Sequence, residues 1–167
     1  ARHADSVARS LNKGLAAPQG AILAGDRDFI REAVRVRQMF GGGWQPAGIL
    51  AAAGIVALET MIDRLADDHR TARRLAEGLA ACPGVEAEMD TVETNIVLAH
   101  FDRSVVSVED VIRGLEVKDI LVLEIAVGSR NTLRLVTHHE IGAEEVDRTV
   151  DAVAAIMKSQ TPRKQTG

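Results

Sequence analysis

No tyrosine occurs in this chain of 167 residues, and three phenylalanines and one tryptophan are its only aromatic residues. So few rings leave no stacking platform for unpaired bases. Basic residues do not predominate either: 20 lysines and arginines stand against 24 aspartates and glutamates, a net charge of -4. That balance argues against a nucleic-acid or anionic-membrane surface. Cysteine appears once, as Cys82. No internal disulfide can form, so a reducing compartment, the cytoplasm, is expected. Long hydrophobic runs are missing as well. The most apolar stretch, Ala47 to Leu58, is too short to span a bilayer and is interrupted by Gly48 and Gly54. Ala1 to Asp5 has neither the apolar core nor the cleavage pattern of a signal peptide. His3, His69, His100, His138 and His139 lack the spacing of zinc ligands. Ser6 and Ser10 stand outside any G-x-S-x-G context, and there is no G-x-x-x-x-G-K-[ST] phosphate loop. Small-molecule chemistry or self-association remains, with no metal, nucleic acid or membrane implied.

What the chain does have is apolar material. Hydrophobic residues make up 46% of it, enough for the core of one ordinary domain or two small ones. Val7 to Leu11 and Ala21 to Ala24 read as strands. Asp26 or Asp28 can cap a helix to about Met39, with Phe29, Ile30, Ala33, Val34 and Val36 among its apolar positions. Gly41 to Gly43 then form either a flexible break or a nest of amides for phosphate. Pro46 fits the first turn of a helix over 47–79, which would be about 50 Å long if unbroken. Its first half, AGILAAAGIVALETMI, is apolar nearly all round and should be buried, whereas its second half keeps Leu65, Ala72, Leu75 and Leu79 on one face.

Pro83 and Gly84 open a second unit. Strands are expected at Val85 to Met89, Asn95 to His100 and Ile120 to Val127, with a helix at Val108 to Leu115 and a turn at Gly128 to Asn131. Thr132 to Thr137 alternates as a strand, and a helix from Ala143 buries Val146, Val150, Val153 and Met157. This describes a small α+β unit, an antiparallel sheet covered by helices on one face.

Two cations stand out. Lys13, in SLNKGLAAPQG, sits between a strand and a turn punctuated by Gly14, Pro18 and Gly20. A strand-end lysine is either a solvated charge or, in a cleft, an amine that can lose its proton and attack a carbonyl to form a Schiff base. Arg134 lies inside an apolar strand and needs an anionic partner. That partner is either a structural carboxylate such as Glu124 or the carboxylate of a ligand, clamped by two hydrogen bonds.

The strings SLNKGLAAPQGAILAG, RVRQMFGGGWQPAGILAAAGIVALE, TNIVLAH and TLRLVTHHE resemble, in that order and from about Ser6 to Met157, the C-terminal half of a threonine aldolase. Threonine aldolases are aspartate-aminotransferase-like, fold type I enzymes that use pyridoxal 5'-phosphate, close to other β-eliminating lyases. The resemblance implies the end of a large α/β cofactor domain over 1–46, a long linking helix over 47–82, a small C-terminal α+β domain over 83–158 and a flexible tail over 159–167. It implies that Lys13 carries the cofactor and that Arg134 binds the substrate's α-carboxylate. The implied reaction is an aldehyde-lyase cleavage of a threonine-like β-hydroxy-α-amino acid to glycine and an aldehyde. Most of the cofactor domain would lie upstream, on the same precursor or a separate chain, in a homo-oligomer, dimer or tetramer. Trp44, Gln45 and Pro46 stand where related sequences carry an arginine thought to serve a neighbouring subunit's cofactor site, and Asn12 replaces a common serine. A catalytically inert remnant, or an oligomerisation module, is the alternative.

Overall fold

A hairpin is the first hydrogen-bonded element of the computed structural model, which describes residues 3–124 and 131–160, the side chains of Leu123 and Glu124 excepted. The chain divides into two compact units, Ala1–Leu65 and Ala66–Gly167. In the first, strands β1 (Ser6–Ser10) and β2 (Ala21–Gly25) pair antiparallel, with Ser6 opposite Gly25 and Ser10 opposite Ala21. The Leu11 N–H donates to the Gly20 carbonyl at 2.9 Å and extends the ladder. Gly20, at φ 126°, has a backbone that a side chain would strain. Helix α1 (Arg27–Met39) follows, with Asp26 accepting from the Phe29 N–H at 2.7 Å as its cap. None of its residues is buried.

The triple glycine breaks the helix as expected, and it does so through capping bonds rather than as a phosphate nest. Gly41 adopts φ 76°, its N–H donates to Gln38 at 3.1 Å, and the Gly42 N–H donates to Arg37 at 2.8 Å. These bonds form a left-handed cap on α1. Two of the three amides are therefore spent on helix carbonyls and cannot face an anion. A Cβ on Gly42 would lie 2.8 Å from Arg37 Cγ, and one on Gly43 would lie 1.7 Å from Gln38 Oε1.

The helix expected over 47–79 is two helices, α2 (Ala47–Thr60) and α3 (Leu65–Ala80). The Thr60 hydroxyl bonds back to the Val56 carbonyl at 2.7 Å, a side-chain contact that competes with helix continuation. Asp67 and Asp68 then favour a new N-terminus by placing negative charge in its first turn. Among the described residues, no element of this chain supplies the burial expected for the apolar half, and most of α2 is uncovered. Only Gly54 and Ala57 of α2 are buried, while Ile49, Ile55 and Val56 are 72%, 56% and 57% exposed.

The second unit holds a four-stranded antiparallel sheet, made of β3 (Val85–Ala87), β4 (Ile96–Phe101), β5 (Leu123–Glu124) and β6 (Thr132–Val136) in the order β3-β4-β6-β5. Helix α4 (Val108–Glu116) follows β4, and α5 (Ala143–Gln160) closes the unit. Alternation along β4 puts Val97, Ala99 and Phe101 into the core, where they join Leu79 of α3, Leu133 of β6 and Val153 of α5. Ile96, Leu98 and His100 lie half-buried on the other face. Close approach depends on missing side chains: a Cβ on Gly78 would meet Val150 Cγ2 at 2.6 Å, and one on Gly114 would meet Ile156 Cδ1 at 2.7 Å.

Among the described residues, the strand expected over Ile120–Val127 pairs at Leu123 and Glu124, and it starts later than expected because the Ile120 N–H turns back to the Leu115 carbonyl at 3.1 Å. Residues 125–127, and the turn expected up to residue 130, lie outside the described residues. The strand expected to reach Met89 stops at Ala87, where Met89–Thr91 forms one 3-10 turn. Helix α5 includes Ser159 and Gln160, and the rest of the expected tail lies outside the described residues. Among the described residues no helix is long and apolar enough to cross a membrane.

Candidate active site

Lys13 projects from the loop between β1 and β2, exposed, with no hydrogen bond or ion pair to its side chain among the described residues. Its carbonyl accepts from the Ala16 N–H at 2.8 Å, closing a tight turn in which Ala16 takes the left-handed φ of 57°. The loop is anchored by three buried residues. Leu11, Leu15 and Ala17 are buried against Ala57, with Leu58 and Met61 packed beside them. Gly54 of α2 makes room for Leu11, since a Cβ there would stand 3.0 Å from Leu11 Cδ1. Asn12, in the position next to the lysine, accepts a hydrogen bond from the Ser10 hydroxyl. The result is a free amine on a pinned loop.

Arg134 occupies the middle of β6, in register with Leu98 on one side and Leu123 on the other. It is half-buried, yet it makes no hydrogen bond or ion pair among the described residues. The structural alternative, Glu124, has its side chain outside that description. Arg134 borders a cleft of about 400 Å³ whose walls include Leu121, Val122, Val136 and Ile141. His138, Glu145 and Thr149 line the same cleft, and a guanidinium there favours a carboxylate that can accept two hydrogen bonds. Lys13 belongs to the first unit and Arg134 to the second.

Sequence reasoning passed over a polar row on the same sheet face. His100, on β4, places Nε2 2.5 Å from Glu88 Oε1 and Nδ1 2.7 Å from Thr132 Oγ1. The alternation of β4 announces which face His100 takes, but the partners come from strand pairing, which no local pattern encodes. The sequence marks Asn131 only as a turn residue. Its Oδ1 accepts from the Val108 N–H at 2.7 Å, and its Nδ2 donates to the Val106 and Phe101 carbonyls at 2.8 and 3.1 Å. Burial pushes the Cys82 thiol up from its ordinary value, with a further contribution from Asp151, so this cysteine is no ready nucleophile. His138 and His139 have ring centres 5.9 Å apart. Among the described residues no group of three His, Cys, Asp or Glu side chains is placed to hold a metal.

Comparison with known proteins places this geometry in a lineage. The beta-eliminating lyase family profile matches residues 1–103. Low-specificity L-threonine aldolase 1 of Arabidopsis thaliana is 36% identical over 163 residues, 96% of this chain and 45% of the relative. The low specificity L-threonine aldolase of Escherichia coli K12 is 34% identical over 147 residues, 87% of this chain and 40% of the relative. The chain thus spans less than half the length of these relatives. Among solved structures, serine palmitoyltransferase of Sphingomonas wittichii aligns with TM-score 0.72 at 19% identity, over 93% of this chain and 40% of that one. The aspartate aminotransferase of Rhizobium meliloti aligns with TM-score 0.66 at 16% identity, over 92% and 42%. At such identities the likeness concerns the fold, which is that of the fold type I pyridoxal-phosphate enzymes. With the profile match covering the lysine loop and the aldolase relatives extending through the arginine strand, the chain belongs to the beta-eliminating lyase family.

Proposed function

We propose that this chain is the C-terminal part of a pyridoxal-phosphate-dependent aldehyde-lyase that cleaves a threonine-like β-hydroxy-α-amino acid to glycine and an aldehyde. The observation that carries the reading is Lys13, a free amine on an anchored loop within the motif SLNKGLAAPQG. An exposed, unpaired amine suits a cofactor that bears an aldehyde, and Lys13 is the residue that would hold it. Pyridoxal phosphate, when bound, supplies an electron-withdrawing ring that takes up the charge left on Cα as the Cα–Cβ bond breaks. Arg134 would fix the α-carboxylate with paired hydrogen bonds and so set which bond of Cα is aligned for cleavage. The leucine and valine side chains that line the cleft beside it lower the local polarity and so strengthen that ion pair.

The remaining groups come from the rest of the protein, on the same precursor or a separate chain, within a cytoplasmic homo-oligomer. The uncovered apolar side chains of α1 and α2 support this, since such area is normally covered by another element or subunit. On this reading the 167-residue chain alone is a poor catalyst. An inert remnant or assembly module is the second reading, favoured by Trp44, Gln45 and Pro46 where an arginine is usual. Native mass spectrometry, followed by borohydride reduction and peptide mapping, separates the two. A phosphopyridoxyl mass on Lys13 in an assembly with further polypeptide supports the lyase, and Lys13→Ala then abolishes attachment while folding and association survive. A bare chain that refuses added cofactor overturns the lyase reading.

A further inference from the structure

The polar residues lining the cleft beside β6 are Arg134, Thr137, His138, Glu145 and Thr149. Most already have partners. The Thr137 hydroxyl donates to the Asp68 carbonyl at 2.8 Å, and the Thr149 hydroxyl donates to the Glu145 carbonyl at 2.7 Å. His138 Nδ1 accepts from the Glu140 N–H at 3.4 Å and lies 3.8 Å from the Glu140 carboxylate. Arg134 and Glu145 remain, opposite in charge, one on β6 and the other in the first turn of α5.

Glu145 is fixed by the helix it opens. Its Oε2 accepts from the Gly142 N–H at 2.8 Å, the reach-back of a capping box, and its own N–H adds to that hold. These bonds keep its carboxyl below the ordinary value, so it is ionised at neutral pH. Arg148, whose charge also favours the ionised form, spends its guanidinium on the Lys118 and Asp119 carbonyls at 3.0 and 3.1 Å. A carboxylate offers about four acceptor sites, so Glu145 keeps room for a further donor. Arg134 does not fill it, since no ion pair joins the two. One cleft of about 400 Å³ thus carries a cation and an anion that do not cancel each other. A plain carboxylic acid would satisfy Arg134 and be repelled by Glu145, and an amine alone would meet the reverse. An α-amino acid, which carries both signs on one carbon, suits both.

We infer that Glu145 is a specificity-determining residue: it takes the ammonium of an amino acid whose carboxylate lies on Arg134, so that the cleft selects the zwitterion over other carboxylic acids. The inference rests on the reading of Arg134 as a carboxylate clamp. It adds what turns away hydroxy acids that bear the same carboxylate. Both groups belong to the second unit, so this selection requires no residue of the first.

The test is nuclear magnetic resonance titration of the 167-residue chain with L-threonine and with 3-hydroxybutyrate, the same molecule without its amine. The backbone amides of Arg134 to Ile141 report binding, and circular dichroism checks the fold. Wild type binds threonine about fivefold more tightly than 3-hydroxybutyrate, which is about 1 kcal/mol at 1.4 kcal/mol per factor of ten, the upper end for an ion pair in contact with water. Glu145→Gln keeps an oxygen for the Gly142 N–H, so the start of α5 survives. It weakens threonine about fivefold and leaves 3-hydroxybutyrate no weaker, which loss of structure alone would not do. The wild-type ligand pair carries the test even where a variant does not fold. Equal wild-type affinity for the two ligands overturns the role of Glu145, as does unchanged threonine affinity in folded Glu145→Gln or the absence of any shift with threonine. Arg134→Gln weakens both ligands, and a folded Arg134→Gln that binds both as wild type does overturns the carboxylate-clamp reading itself.

Discussion

Asn131 offers the sharpest test of how the arginine strand is held. Replacing it with alanine removes three hydrogen bonds at once, to the Val108 N–H and to the carbonyls of Val106 and Phe101. Those three residues are 2%, 4% and 5% exposed, so water does not readily replace the lost amide. Each bond contributes about 1 kcal/mol net, and buried groups left unpaired cost at least that much. The expected loss is therefore about 3 kcal/mol, a large share of the roughly 5–15 kcal/mol that stabilises an ordinary domain. Asn131→Asp should be no milder. It keeps the acceptor for Val108 but turns a carboxylate oxygen toward two carbonyls. Urea titration of both variants, followed by far-ultraviolet circular dichroism with the denaturant slope held common, measures the difference. A shift below about 0.5 kcal/mol, within the range of an ordinary surface change, would refute the argument that this side chain ties β6 to the α4 N-terminus.

Other expectations follow from contacts already described. Gly78→Ala should destabilise the second unit by about 1–3 kcal/mol despite alanine's better helix propensity, because the new methyl overlaps Val150; adding Val150→Ala should recover most of the loss in thermal melts. Hydrogen bonds from Ser104, from Ser107 and Arg113, and from the Gly142 N–H hold the carboxyls of Asp102, Asp110 and Glu145 below their usual values. The stability they contribute is present above the ordinary carboxylate range and is lost as pH falls through the lowered values. Tm should therefore drop on acidification below about pH 4, and less so in the triple Asn/Asn/Gln variant. The raised Cys82 thiol should react slowly with a disulfide reagent at pH 8 in the folded chain and rapidly in urea; equal rates would contradict its burial.

Much of this architecture is legible in the residue order. Apolar runs bounded by turn residues mark both halves of the hairpin, a period of two marks the arginine strand, a period of 3.6 marks the amphipathic helices, and Asp26, one of two expected caps, starts α1. Lys13 and Arg134 are visible because each is a cation in an unusual setting. The break after Thr60 is not visible, since alanine-rich sequence on one side and amphipathic sequence on the other both favour helix, and a side-chain bond to Val56 intervenes. The triple glycine announces the end of α1, but not how that end is closed. Glycine permits flexibility, but here its lack of a side chain permits contact with Arg37 and Gln38. His100 and Asn131 escape because their partners lie on other strands and at a distant helix start, and no local spacing records such a pairing.

The two anchoring clusters have a consequence for how this lineage can change. Leu11, Leu15, Ala17 and Ala57 support the lysine, whereas Val97, Ala99, Leu133 and their neighbours support the strand that carries the arginine, and the sets share no member. A substitution within one set replaces no member of the other. On the proposed roles of Arg134 and Lys13, substitutions that alter carboxylate recognition can therefore arise among residues distinct from those that anchor the lysine loop, and the reverse holds as well. In such a chain, divergence of specificity and conservation of chemistry are separable by construction.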